Sequence, residues 1–368
     1  EGNQITLFWA VEAILLFWLS QKSKINMFKL SAMVVQFLSI ISLIIDWDKQ
    51  YRYTNNELTI LFNPIFITGI VVVGSLLGTY FLLKKENESN TIFKIEFDPV
   101  FYRNGITWVA LIIGYFVGIF EIIHQSGQNL ENSYAALSLS VGYHFIFSTV
   151  FIYFGLKSKE ELVRKLATIL AMVNITLYVV WWYNIPSKEV LWNIAKNWDS
   201  VIAFNLHYII LACLIYYVSI LANQILNKAH IVFLKSNIAL WLLVFCGVYI
   251  LSNELIVHQM FFVEPQIILD QIYSDAVGSD LDRVTFLSNE LYVQGKLNII
   301  KVQVIKIGYP ILWGILSFAL LIFGIKRQWK QLRIIALSLL GSLITLFIVS
   351  RISSEKNSSF PIFVFIKW

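Results

Sequence analysis

"IALWLLVFCGVYILSNELIVH", residues 238–258, carries Glu254 as its only acidic or basic side chain apart from the closing His258. A helix of that length covers about 30 Å at 1.5 Å per residue, which matches the hydrocarbon core of a bilayer. The run therefore predicts a transmembrane helix, and it poses a question: why does a carboxylate sit near its end? The pentapeptide LSNEL that contains Glu254 recurs at Leu287–Leu291, there in ordinary polar surroundings.

Runs of the same kind recur along the chain. They predict ten spans, over about 5–20, 28–46, 64–83, 105–124, 133–156, 163–183, 201–226, 236–258, 305–325 and 332–350. The composition agrees: 58% of the residues are hydrophobic and only 14% charged, against about a quarter in a soluble domain. Mean hydropathy is +0.69. The expected fold is all-α, a polytopic transmembrane bundle forming one helical domain over residues 1–368, with the lipid bilayer as its first partner.

A net charge of +5 could suggest a nucleic-acid partner. The basic residues instead sit in small clusters between the spans, so topology accounts for them and nucleic acid is not expected. Lys22, Lys24 and Lys29 follow the first span, Lys84 and Lys85 the third, and Lys157, Lys159, Arg164 and Lys165 the fifth. Lys228 and Lys235 follow the seventh, and Lys326, Arg327, Lys330 and Arg333 the ninth. The other connections are acidic or mixed, and the longest, about 259–304, holds Glu264, Asp270, Asp275, Asp280, Asp282 and Glu290. The positive-inside rule then makes the odd-to-even turns cytoplasmic and both ends external. The same phase groups the spans into five helical hairpins, of which the first and last share a tryptophan, a basic turn and an alanine in register.

Cys213 and Cys246 lie inside apolar runs, where neither a disulfide framework nor a thiolate metal site is expected. The chain opens at Glu1 without a methionine or the basic start of a signal peptide, so a piece of a longer protein, or one whose start has been removed, is expected. "KEVLWNIAKNWDS" places Val190, Leu191, Ile194 and Trp198 near one helical face, suiting a helix on the membrane surface. "TIFKIEFDPVFYR" alternates apolar and charged residues and reads as extended or surface-bound. Trp47, Trp181, Trp182, Trp192 and Tyr183 fall at span boundaries, as in an aromatic belt.

"EGNQITLFWAVEAILLFWLS", "LSNEL" with its following histidine, and "KIGYPILWGILSFALLIFGIKR" with "LRIIAL" resemble the bacterial membrane family catalogued as domain of unknown function 2339. The resemblance implies a polytopic inner-membrane protein and brings no activity with it. Where the family continues "LRIIAL" with Lys-Leu-Phe, an aspartate and a further helix, this chain reads Thr345, Leu346, Phe347 and then Ser350. Its tail, 351–368, ends in an apolar stretch too short to span, so an irregular and truncated end is expected.

Ionisable groups inside spans mark function by default. Counted from Lys235, Glu254 lies about 28 Å along its helix, at the outer edge of the hydrocarbon. Glu121 comes out at a similar depth, with His124 three residues on, just as His258 follows Glu254 by four; each pair shares a helix face. His207, Glu12 and Lys306 also map to the outer half. If Glu12, Glu121, His124, His207, Glu254, His258 and Lys306 converge, they line an outward-facing polar site for a ligand. His124, Glu254 and His258 are the candidate metal ligands. If they do not, each is a single interfacial residue. His144, Asn174 and Asn205 read as packing or interhelical hydrogen-bonding residues.

Asp46 and Asp48, in the predicted external loop "IIDWDKQYRY", are the candidate catalytic pair of a membrane-embedded transferase acting on a lipid-linked substrate. A third reading is an envelope scaffold that docks a protein partner on its acidic loop. No phosphate-cradling loop, nucleophile elbow or HExxH motif is present, and no cofactor is expected. The GxxxG pairs Gly74/Gly78 and Gly114/Gly118 suit close helix contacts.

Overall fold

A computed structural model describes residues 2–53, 58–60, 62–86, 90–92, 95–227, 231–262 and 290–355. Twelve α-helices and one short hairpin of strands make up these residues. The chain is an all-α multi-pass membrane protein, with nine helical segments among the described residues long and apolar enough to cross a bilayer. A further helix, Lys330–Glu355, stands where the tenth span is expected. It carries the chain helically through residues 351–355, where an irregular tail was expected, and residues 356–368 lie outside the described set.

The chain divides into two compact units, residues 1–129 and 130–368. In the first, α1 (Gly2–Ser23), α2 (Asn26–Tyr53), α3 (Pro64–Leu83) and α4 (Pro99–Asn129) bury Ala10, Leu43, Ile65, Leu76 and Ile113 in one core. Asn63 starts α3 by accepting from the Phe66 amide, and Pro64 follows in the first helical turn, where its missing N–H costs nothing. Around the TIFKIEFD stretch, β1 (Asn90–Ile92) pairs antiparallel with β2 (Ile95–Phe97). Beneath it Lys29 meets Glu86 at 2.6 Å and lies 5.1 Å from the centre of the Phe97 ring.

Trp47 is a core residue, 7% exposed and edge-on to Phe120, where the sequence suggested an aromatic belt. Close helix contacts in this unit fall at Gly78, which the GxxxG pattern marks and where a Cβ would meet Cδ1 of Ile14 at 3.1 Å, and at Gly69, which it does not mark. A Cβ on Gly69 would meet Cγ2 of Val117 at 2.7 Å, whereas one on Gly74 meets nothing within 4 Å. Val117 is buried and stiff at χ1, so it cannot swing aside. Gly69→Ala is therefore expected to cost about 1–3 kcal/mol and lower the melting midpoint, while Gly74→Ala, with open space for its Cβ, keeps it or raises it slightly. Equal midpoints for the two variants would contradict this packing.

The second unit holds α5 (Ser133–Lys157), α6 (Glu161–Leu177), α7 (Ile185–Lys196), α8 (Ile202–Leu226), α9 (Asn237–Phe261), α10 (Glu290–Gln303), α11 (Tyr309–Lys326) and α12 (Lys330–Glu355). Asn132 and Ser236 cap α5 and α9 through the Tyr134 and Ala239 amides. The wide turn Tyr178–Trp182 continues α6 with π-helical bonding, and a second such turn, Val304–Gly308, joins α10 to α11. The main core gathers Phe145, Ile152, Ile175, Leu214 and Tyr217 from α5, α6 and α8.

Helix α7 forms as its sequence predicts, but protein covers its apolar side. Leu191 and Ile194 pack against Ile256 and Met260 of α9 and Val293 and Leu297 of α10. Part of the expected 259–304 loop is therefore helix. Its acidic residues Glu264, Asp270, Asp275, Asp280 and Asp282 lie outside the described residues, as do Lys228 and most of the second LSNEL.

All five expected hairpins bring their two helices into contact. The turns of the first and last each pass through a residue with positive φ, 59° at Lys24 and 53° at Gln328. Cys213 and Cys246 are not disulfide-bonded.

Candidate functional site

In the second unit, the first turns of α8 and the last turns of α9 bring three ionisable side chains together. His207 Nε2 lies 3.3 Å from Glu254 Oε2, and His258 Nδ1 lies 3.6 Å from the same oxygen. One donor atom from each of the three falls within 4.8 Å of the other two. The His207 side chain is 3% exposed, Glu254 14% and His258 36%, so the cluster opens on the His258 side. Among the described residues, these two histidines are the basic side chains that come within 4.0 Å of the Glu254 carboxylate.

The hydrogen bonds fix how each ring presents itself. His207 Nδ1 donates to the Phe204 carbonyl one turn back, which leaves Nε2 turned toward Glu254. His258 Nδ1 donates to the Glu254 carbonyl at 2.8 Å, and its Nε2 meets the Tyr208 hydroxyl at 2.8 Å. Phe204 stacks face to face on Phe261 and walls one side. Tyr178, the first residue of the π-helical turn, lies beside Asn253 and Glu254. Such turns often mark functional positions in helices.

The start of α8 is held from α7. Glu189, fully buried, accepts from the Ser200 hydroxyl at 2.7 Å and from the backbone amides of Ala203 and Phe204 at 2.9 and 3.1 Å. A carboxylate on the free N–H groups of a helix start satisfies them and complements the helix dipole. Asn193 adds a bond to the Ser200 carbonyl, and Asn132 donates to Asn193. His207 thus sits one turn beyond a rigidly anchored helix end.

Residues 1–349 match a family described as predicted membrane protein (DUF2339). The chain belongs to the DUF2339 family. No curated protein and no solved structure matches it. Membership makes this a multi-pass membrane protein, as the fold does, and brings no reaction or ligand with it.

In this DUF2339 protein only part of the expected set comes together. Glu121 and His124 belong to the first unit, where the Glu121 carboxylate accepts from Tyr51, Asn63 and Gln125 at 3.0, 2.7 and 2.9 Å. Its acceptor capacity is used in bracing α2, α3 and α4. The His124 ring lies against Tyr51, with Nε2 buried and no hydrogen-bond partner among the described residues. Glu12 is half-buried on α1, and Lys306 is exposed in the turn between α10 and α11.

Asp46 and Asp48 are not in a loop, because α2 continues to Tyr53. Residues two apart on a helix point to nearly opposite sides. Asp46 is buried and accepts from Thr6 at 2.6 Å, while Asp48 is exposed, so the two do not form a shared metal–phosphate clamp. His144 bonds Asn174 as a packing residue should. Asn205, expected to bond between helices, is exposed.

The residues the sequence reading missed are Glu189, Tyr208 and Tyr178. Glu189 lies in a mixed-charge connection that carries no capping signature, and tyrosines in apolar helices are too common to stand out.

Proposed function

We propose that this protein resides in the plasma membrane of a bacterium and binds a cation at the His207–Glu254–His258 cluster, with the cluster facing the cell exterior. The supporting observation is the unmet chemistry of the cluster. His207 Nε2 and both carboxylate oxygens of Glu254 are buried without a well-formed hydrogen bond among the described residues, and the Tyr178 hydroxyl near Glu254 does not complete one. With Nδ1–H committed to the Phe204 carbonyl, His207 turns Nε2 to a carboxylate oxygen 3.3 Å away. A buried imidazole nitrogen and a carboxylate that close call for positive charge between or beside them, and buried polar groups are rarely left unsatisfied.

The orientation follows from charge. Within the second unit Lys157, Lys159, Arg164 and Lys165 flank the α5–α6 turn, and Lys326, Arg327 and Lys330 the α11–α12 turn. Lys235 precedes α9, so the basic end of that helix is opposite Glu254 and His258. By the positive-inside rule the basic ends are cytoplasmic. The transferase reading loses its support, because its two aspartates face different ways.

The test is melting of the detergent-solubilised protein, stripped of cations and then given a panel of monovalent and divalent ions. A bound cation at about 100-fold its dissociation constant stabilises by about 2.7 kcal/mol. Wild type is expected to melt several degrees higher with at least one ion, and Glu254→Gln is expected to lose that gain. If no ion stabilises wild type, or if both proteins respond alike, the cation-binding reading is wrong.

A further inference from the structure

We infer that the cluster is a mononuclear site for a divalent transition metal of the zinc class, held by His207 Nε2, Glu254 Oε2 and His258 Nδ1, with a fourth position left for an exogenous ligand. The inference rests on the cation-binding reading above and names the ion. Donor atoms around a tetrahedral zinc with bonds of about 2.0–2.1 Å stand about 3.3–3.4 Å apart. The two edges that meet at Glu254 Oε2 measure 3.3 and 3.6 Å. The edge between the two histidines lies within 4.8 Å, so the rings must also draw together to complete a coordination shell.

A shared proton fits less well. His207 Nε2 and Glu254 Oε2 are close enough to share one, yet they do not meet hydrogen-bond geometry. A proton must lie near the line between its two partners. A metal sits off that line, at the apex of a bent nitrogen–metal–oxygen arrangement, and is free of this demand. The donor set then selects the ion. Two imidazoles and a single carboxylate suit zinc, cobalt or nickel and suit calcium or magnesium poorly, since those hard ions want oxygen throughout.

The hydrogen bonds around the cluster match what metal-bound histidines require. His207 already donates Nδ1–H to a backbone carbonyl, which fixes the ring and leaves Nε2 as the ligand atom. His258 needs one change. Its Nδ1 proton, now on the Glu254 carbonyl, must be replaced by the metal, and the neutral ring then carries its proton on Nε2. The Tyr208 hydroxyl at 2.8 Å accommodates both forms, donating to Nε2 before the metal binds and accepting from it afterwards. Tyr208 is 46% exposed and stands at the open side of the cluster. It is a positioning residue and not itself a ligand.

The experiment is equilibrium dialysis of full-length protein against zinc, with bound metal counted by elemental analysis, beside cobalt(II) absorption spectroscopy. Wild type is expected to retain one zinc per chain. It should also give the intense visible bands of tetrahedral cobalt, which zinc bleaches and magnesium does not. Glu254→Gln and His207→Gln are expected to lose the bound ion. Tyr208→Phe alters only an exposed hydroxyl and guards against loss by misfolding; it should weaken binding by about 10- to 100-fold while keeping the tetrahedral spectrum.

Zinc retained equally by all three variants would place the ion elsewhere and overturn the inference. So would a wild type that takes up no zinc but is stabilised by another ion through Glu254, in which case cation binding survives and the metal class falls. Loss of every cation effect would remove both together.

Discussion

Glu189→Ala is expected to lower the melting midpoint of the purified protein by roughly 10 °C. The carboxylate is fully buried and is acceptor to one hydroxyl and two backbone amides at the start of α8. Alanine leaves the two backbone amides in an interior that water does not reach, while the half-buried Ser200 hydroxyl loses its partner nearer the surface. Orphaned buried donors cost about 1–3 kcal/mol each, and partial relaxation brings the total to about 3–4 kcal/mol. At about 2–4 °C per kcal/mol for a unit of this size, the shift follows. Glu189→Gln keeps one oxygen for Ser200 and Ala203 but turns an amide N–H against the Phe204 N–H, so an intermediate loss is expected. Intrinsic tryptophan fluorescence against temperature reads all three proteins. A Glu189→Ala midpoint within 2 or 3 °C of wild type would mean that α8 is anchored by something other than this cap.

Glu121→Ala should cost about 2–3 kcal/mol by the same logic, in the other unit. Tyr51, Asn63 and Gln125 lose their common acceptor. Relief is partial, since Asn63 and Gln125 keep bonds to backbone carbonyls at Thr59 and Leu58. Asn63 is also the cap of α3, so its displacement loosens that helix start. The prediction has a second half that separates bracing from binding. A destabilised Glu121→Ala protein should still bind the same amount of zinc as wild type at a temperature where both are folded. Loss of the metal with Glu121 would return this residue to the site and contradict its role as a brace.

These two glutamates show where a single sequence stops. Glu121 and Glu254 look alike on paper: each lies near the end of an apolar run with a histidine one turn on. Helical spacing makes the Glu254–His258 pair legible, and helix rise puts His207 at a compatible depth. Which helices are neighbours is another matter. It depends on packing in three dimensions, and the apolar surface of one span looks much like that of the next. Glu121 is occupied by Tyr51 and Asn63, 70 and 58 residues away, and periodicity carries no trace of that meeting.

The error at Asp46 and Asp48 has a different origin. Helix α2 has 28 residues, about 42 Å of helix, and so outruns a hydrocarbon core of about 30 Å. Polarity marks the edge of the hydrocarbon there, not the end of the helix. The TIFKIEFD alternation and the α7 amphipathicity were legible because each is a local pattern.

Phe204 takes part in both halves of the second unit's polar chemistry. Its amide is held by Glu189 and its carbonyl holds the His207 ring, so a single residue stands between a carboxylate on α7 and the imidazole that faces Glu254. The placement of α7 and the setting of the His207 ring therefore meet at one residue in the first turn of α8.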